Sequence, residues 1–403
     1  MFTGEPGAQA PSRLRPRATP GVAVPAGPAA LPALTSLRFF AALVVVCSHF
    51  AQIGLLAVPQ AVQRAVDGGR PAVSFFFVLS GFILTWNYRR PLATGGAPAR
   101  RTFYSARFAR IYPVLVLSLV LALPVTAWLL HDGDAALLRE WYGLSGSDGA
   151  NLRALCASLV LQLLALTAWT PFAALNQPWN GPAWSISCEA FFYALFPWLL
   201  ARLGACGNRG LAAWCVALWL AQGAWIAWLQ HALPVSRHGF LVAQFPPTHL
   251  FEFVLGICAA LVHARHAAAG AVRVRVGHVL AVIALAGIVA LSVLQPLAPA
   301  FYMQSPLFGA LIVGMALSGG PAFLSWRWLV TLGEASFALY LLHVPLGRLL
   351  RLADVPAAAG WPALAAVVGI SVLVFRGYEE PLRRRLRRRL APATPSLAVV
   401  AHG

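Results

Sequence analysis

Leu37-Arg38-Phe39-Phe40-Ala41-Ala42-Leu43-Val44-Val45-Val46-Cys47-Ser48-His49-Phe50 decides how this chain is read. It is an apolar run with a guanidinium at its start and an imidazole eleven residues on. Runs of this kind recur along nearly the whole sequence, each close to the roughly 20 residues that cross a bilayer. Composition agrees: hydrophobic residues fill 59% of 403 positions and charged ones only 10%. A soluble domain carries about 25% charged residues, so such a surface could not face water all round. The chain reads as an all-α integral membrane protein.

The formal net charge of +18 would suit a nucleic-acid binder. Its distribution excludes that partner, because the basic residues gather in a few short loops and the C-terminal tail. All thirty are arginine. Arg383-Arg384-Arg385-Leu386-Arg387-Arg388-Arg389 reads as an orientation signal in contact with anionic membrane lipid. Six cysteines without a CxxC pair read as small packing residues. Residues 1–31 read as a disordered cytoplasmic tail, 32–382 as one membrane domain and 383–403 as a basic cytoplasmic tail.

Eleven apolar segments stand out, near 34–58, 72–88, 111–130, 153–170, 184–201, 211–230, 249–264, 277–294, 304–320, 334–350 and 362–376. Arg89, Arg90, Arg100, Arg101, Arg107 and Arg110 make 89–110 a cytoplasmic loop, and the arginine-rich tail lies on the same side. Those two assignments conflict if all eleven segments cross. Segment 153–170 is short, carries Arg153 and Gln162 and ends at Pro171, so it is expected to re-enter or lie along the outer face. About ten transmembrane helices remain, with both termini cytoplasmic.

Ionisable groups inside a bilayer are costly and mark a function or a pairing. Arg38 and His49 lie about 16 Å apart on nearly one stripe. That would suit a long anionic ligand threaded along the helix. A snorkelling arginine with a packed histidine is the alternative, and spacing alone favours it. In Asn180-Gly181-Pro182-Ala183-Trp184-Ser185-Ile186-Ser187-Cys188-Glu189, the proline suits a first helical turn. Ser185, Glu189 and Tyr193 then form a polar stripe, with Glu189 expected about 9–10 Å below the outer entrance. An interhelical hydrogen-bond cluster would look the same. Thr248 with Glu252, and Ser336 with Tyr340 and His343, repeat the pattern, and His343 falls at a depth comparable to His49. The arginines before Ile111-Tyr112-Pro113, at an expected helix start, would make a phosphate cradle. No spacing of metal ligands is visible, so no metal is expected.

Taken together and in order, these segments resemble the membrane-bound acyltransferase 3 family, bacterial enzymes that O-acylate surface glycans and some small molecules. Arg38 to His49, Ser74-Phe75-Phe76-Phe77-Val78-Leu79-Ser80-Gly81-Phe82, Arg107-Phe108-Ala109-Arg110 and Trp184 to Glu189 carry the resemblance. So do Glu252-Phe253 with Gly256, Leu339 to Pro345, and Glu379-Glu380-Pro381-Leu382-Arg383. Thr35-Ser36, Ala190 and Glu334 depart from the family's usual acid, acid and base.

The resemblance implies acyl transfer, most often of acetyl, from cytoplasmic acyl-CoA to a hydroxyl of a glycan or glycolipid outside the bacterial cytoplasmic membrane. It implies His49 and Glu189 as catalytic residues and Arg38, Arg107 and Arg110 as holders of the donor. Ser80, Trp184, Ser185, Ser187, Tyr193, Glu252, Tyr340 and His343 would bind substrate or support the site. His49 would serve as general base or as covalent acyl carrier. The rival of another class is a transporter or flippase of a glycan or lipid-linked sugar, which commonly shows repeated halves. No repeat is visible here.

Overall fold

The computed structural model describes residues 31–59, 69–131, 134–266, 271–294 and 299–390. The expected tail over 1–30, residues 391–403 and Asp132 lie outside the described residues. In chain order the helices are α1 (Pro32–Gln52), α2 (Gly69–Thr94), α3 (Gly96–His131), α4 (Ala135–Tyr142) and α5 (Asp148–Leu163). Next come α6 (Ala173–Asn176), α7 (Trp184–Gly204), α8 (Asn208–Ala232), α9 (Val235–Ala243) and α10 (Leu250–Arg265). The last are α11 (Ala271–Leu294), α12 (Ala300–Ser318), α13 (Arg327–Leu352), α14 (Gly360–Val374) and α15 (Glu380–Leu390). Among the described residues ten helices are long and apolar enough to cross a membrane, and α5 is not one of them. The apolar surface agrees: α11 leaves Val279, Val282, Ile283 and Val293 exposed, as lipid-facing positions should be.

Two boundaries differ from the sequence expectation. The presumed loop 89–110 is helical apart from a break at Gly95, followed by Gly96 at φ +52°. Arginine is a good helix former, and its guanidinium can reach past the apolar layer, so charge there does not end a helix. Arg107 and Arg110 therefore lie three turns and more inside α3, and the helix start expected at Ile111 falls within it. Similarly, the tail boundary drawn at 383 falls within α15.

Packing sets the heights of the helices. A Cβ on Gly81 would run into Phe253 O, and one on Gly256 into Val78 O, so α2 and α10 cross backbone to backbone. Gly333 lies against the Thr35 carbonyl and Gly347 against the Phe50 ring. Helices α1 and α13 thus run side by side in the same direction. We call the end of the bundle holding Arg38 and α15 the arginine-rich end, and the other the distal end.

The segment before α7 re-enters the bundle. Helix α5 descends from the distal end until Tyr112 Oη, near the middle of α3, donates to Leu163 O (3.0 Å). The chain reverses at Ala165 (φ 54°), climbs until Ala173 packs on Gly143, and turns down again through Trp179 (φ 62°) to Asn180. Irregular backbone survives at such depth only where protein groups satisfy it. Here they do: Gln162 Nε2 donates to Pro178 O, and Trp179 Nε1 to Leu155 O (3.0 Å). The Arg348 guanidinium, buried against the faces of Trp141 and Tyr142, donates to Trp179 O and Trp141 O.

Asn180 closes a particular gap. Pro345 has no N–H, so inside α13 it leaves the Leu341 carbonyl, four residues back, without its helical donor. Asn180 Nδ2 fills that role at 2.9 Å and also donates to Ser118 Oγ at 2.9 Å. Trp219 Nε1 does the same for Tyr302 O, which Pro306 leaves open. Asn180→Ala should orphan the Leu341 carbonyl in a dry interior and cost roughly 1–3 kcal/mol. Thermal unfolding of the detergent-solubilised variant checks this, and an unchanged transition would show the carbonyl finding another donor.

Candidate functional site

Re-entry changes where Glu189 sits. A helix starting at the membrane surface would place Glu189 near the outer entrance. Helix α7 instead starts beside the middle of α13, because Tyr340 Oη donates to Pro182 O (3.1 Å) and Asn180 reaches Leu341 O. Glu189, five residues further down, therefore lies among the arginines of the arginine-rich half.

Those residues share one cavity of roughly 330 Å³. Arg38, Arg107, Arg110, Ser80, Glu189, Tyr193, Ser185 and Tyr340 all line it, so eight of the expected site residues meet here. Glu334 and Arg383 line it too, while Phe76, Ser185 and Tyr340 bound it beyond Glu189. The eight come from α1, α2, α3, α7 and α13, so their meeting is a product of the whole bundle.

The charges inside are unevenly matched. Arg110 Nη1 pairs with the fully buried Glu379 Oε1 at 2.8 Å. Arg383 pairs with Glu380. Glu189 Oε2 accepts from Tyr193 Oη at 2.7 Å. Arg107 has a weak bond to Tyr88 Oη (3.4 Å) and lies over the rings of Tyr88 and Tyr193. Its Nε is buried without a hydrogen-bond partner among the described residues. Arg38 makes no hydrogen bond or ion pair among the described residues, and the Glu379 and Glu189 carboxylates act on it only at longer range.

Arg38 and Arg107 are half-buried, and neither pairs directly with a carboxylate among the described residues, an arrangement that is costly inside a membrane. A ligand bearing phosphates would supply the missing oxygens, with Arg38 and Arg107 as its natural holders. Arg110, expected in the same role, is already committed to Glu379.

The two histidines stand beyond the cavity. His49 Nδ1 and His343 Nε2 are 2.7 Å apart, with the rings stacked at 5.0 Å and 15°. His343 is fully buried, whereas His49 is partly exposed. Neither lines the cavity. Because one proton joins the rings, a His49 that donates through Nδ1 keeps the lone pair on Nε2. That is the form in which an imidazole accepts a proton.

Three expected residues lie elsewhere. Trp184 packs against Phe77 and His249. Ser187 is buried with its hydroxyl unpartnered among the described residues. Glu252 belongs to a closed network: Gln222 Nε2 donates to it at 3.0 Å, and His249 Nδ1 lies 3.2 Å away. With no exposed surface and no share in the cavity, Glu252 holds α10 to α8. Sequence reasoning missed Glu379 as a partner of Arg110. Its signal was an acid just past the last apolar run, in the motif Glu379-Glu380-Pro381-Leu382-Arg383, with no partner legible in the sequence.

A membrane bundle with an arginine-lined cavity beneath a histidine pair defines a multi-pass membrane enzyme, and sequence comparison says of which class. The acyltransferase domain family matches residues 31–376. Acyltransferase MdmB of Streptomyces mycarofaciens is 31% identical over 396 residues, covering 90% of this chain and 94% of that protein. The chain belongs to the acyltransferase 3 family and is an acyltransferase. No solved structure matches it.

Proposed function

We propose that the protein transfers a short acyl group, acetyl in the first instance, from acyl-CoA at the cytoplasmic face to a hydroxyl of a glycan or glycolipid at the outer face. The observation that carries this reading is the pair of guanidiniums, Arg38 and Arg107, that no carboxylate pairs directly among the described residues, in a cavity that ends just short of the hydrogen-bonded His49 and His343. In this reading the arginine-rich end is cytoplasmic, as its charge favours, both termini lie inside, and the membrane is the bacterial cytoplasmic one.

In this reading the Arg38 and Arg107 guanidiniums hold the donor's phosphates, and its thin arm runs along the cavity toward the histidines. His49 Nε2 takes the acceptor's hydroxyl proton while its Nδ1–H is held by His343 Nε2. The alkoxide oxygen bonds to the thioester carbonyl carbon, the C–S bond breaks, and the proton passes to the departing thiolate. Glu189 holds Tyr193 beside Arg107 and offsets part of the guanidinium charge, a positioning role.

Calorimetric titration of the purified protein tests the donor. Arg38→Gln and Arg107→Gln should each weaken acetyl-CoA binding by about tenfold or more. Binding of S-acetylpantetheine, which has no phosphate, should not change. Equal losses for both ligands would mean that the arginines shape the cavity and hold no phosphate. Thiol release from acetyl-CoA separates the reading from a transporter, which should show none. Cells lacking the protein should lose O-acetyl from their envelope glycan.

A further inference from the structure

Two aromatic rings separate the cavity from the histidine pair. Phe76, on α2, is partly exposed where it lines the cavity, and it packs on the apolar cluster that includes Val46 and Leu339. Its ring lies 6.3 Å from that of Tyr340 at 60°. The Tyr340 ring in turn lies 5.8 Å from that of His343. The order from the arginines outward is therefore cavity, Phe76 with Tyr340, then His343 with His49.

The two rings are not equally free. Tyr340 is tied through its hydroxyl to Pro182 O, the carbonyl that also accepts from Ser185 Oγ (3.1 Å). Turning it would break a buried bond and disturb the start of α7. Phe76 has no polar tie, and one side of it faces the cavity. Its contacts are the Phe75 and Tyr340 rings and the apolar cluster, so it is the less constrained of the two.

We propose that Phe76 and Tyr340 form a size-selective aperture through which the donor's acyl group reaches the histidines. Tyr340 is the fixed jamb and Phe76 the moving leaf. A short acyl group passes the opening, and longer chains meet the Tyr340 ring. This rests on acyl-CoA being the donor.

The test reads binding, so it needs no acceptor. Purified full-length protein in lipid nanodiscs is titrated with CoA, acetyl-CoA, butyryl-CoA and hexanoyl-CoA. In the wild type, lengthening the chain beyond acetyl should bring no gain in affinity. Phe76→Ala should open the space beyond the aperture, where each buried methylene is worth about fourfold. Butyryl-CoA should then bind it roughly tenfold more tightly than acetyl-CoA, with affinity for CoA itself unchanged.

Phe76→Leu, a milder truncation, should fall between the two and guards against a misfolded alanine variant. The same chain-length profile in all three proteins would overturn the aperture. Failure of the wild type to bind CoA or any of its thioesters would instead overturn the donor reading.

Discussion

His49→Ala should lower acyl transfer by about a thousandfold while leaving acetyl-CoA affinity within about twofold of wild type. The size follows from the role: a positioned base contributes typically 10²–10⁴-fold. The selectivity follows from position, because His49 does not line the cavity that would hold the donor. His343→Ala removes the partner of Nδ1 and with it that hold on the tautomer. It should cost less, on the order of tenfold to a hundredfold, and His343→Gln should recover part of the loss because its amide oxygen can still accept from Nδ1–H. Rates come from transfer of labelled acetyl to envelope acceptor in membrane vesicles, normalised to protein amount. A His49→Ala protein that transfers at more than a tenth of the normal rate would remove the ring from the chemistry. Equal losses in His343→Ala and His343→Gln would reduce His343 to a packing residue.

The pattern of apolar runs showed that the chain spans a membrane, and the charge conflict singled out 153–170. That conflict worked because short arginine-bearing segments obey a rule of sidedness that does not depend on tertiary contacts. The level pairing of His49 with His343 was also legible, since each lies a countable number of residues along a regular helix. Depth became unreadable where regularity stopped. The distance from Glu189 to the outer surface was counted from the start of α7, and the re-entrant chain carries that start into the bundle's middle. Partners across helices were hidden for the same reason. Nothing local to Arg110 announces Glu379, which is 269 residues away in sequence. Phe76 is hidden differently: as one of three consecutive phenylalanines it reads as core, and only the placement of Tyr340 separates it from its neighbours.

Gly333→Ala should damage both the fold and the chemistry, although it lies about 15 Å along α13 from His343. A Cβ at this position would run into the Thr35 carbonyl and lie 3.1 Å from Ser36 Cα, so the obstruction is backbone and cannot swing away. Helix α1 is pinned there by Ser36 Oγ, which donates to Leu324 O at 2.6 Å. It must therefore shift bodily or tilt, and such overpacking costs typically 1–3 kcal/mol. A helix moves as a rod, so a displacement of about 1 Å at Thr35 is carried toward His49. Misplacement of that size can cost about 10²-fold in rate. Arg38, one turn from Thr35, moves as well, so acetyl-CoA affinity should fall together with the rate. That coupled loss distinguishes Gly333→Ala from His49→Ala. Gly369→Ala serves as control, because a Cβ there meets nothing within 4 Å and alanine is the better helix former. Its thermal transition should be equal to or slightly above wild type. If Gly333→Ala melts with the wild type and transfers at the normal rate, α1 and α13 are not in backbone contact at Thr35, and the contact that sets the two imidazoles level must be sought elsewhere.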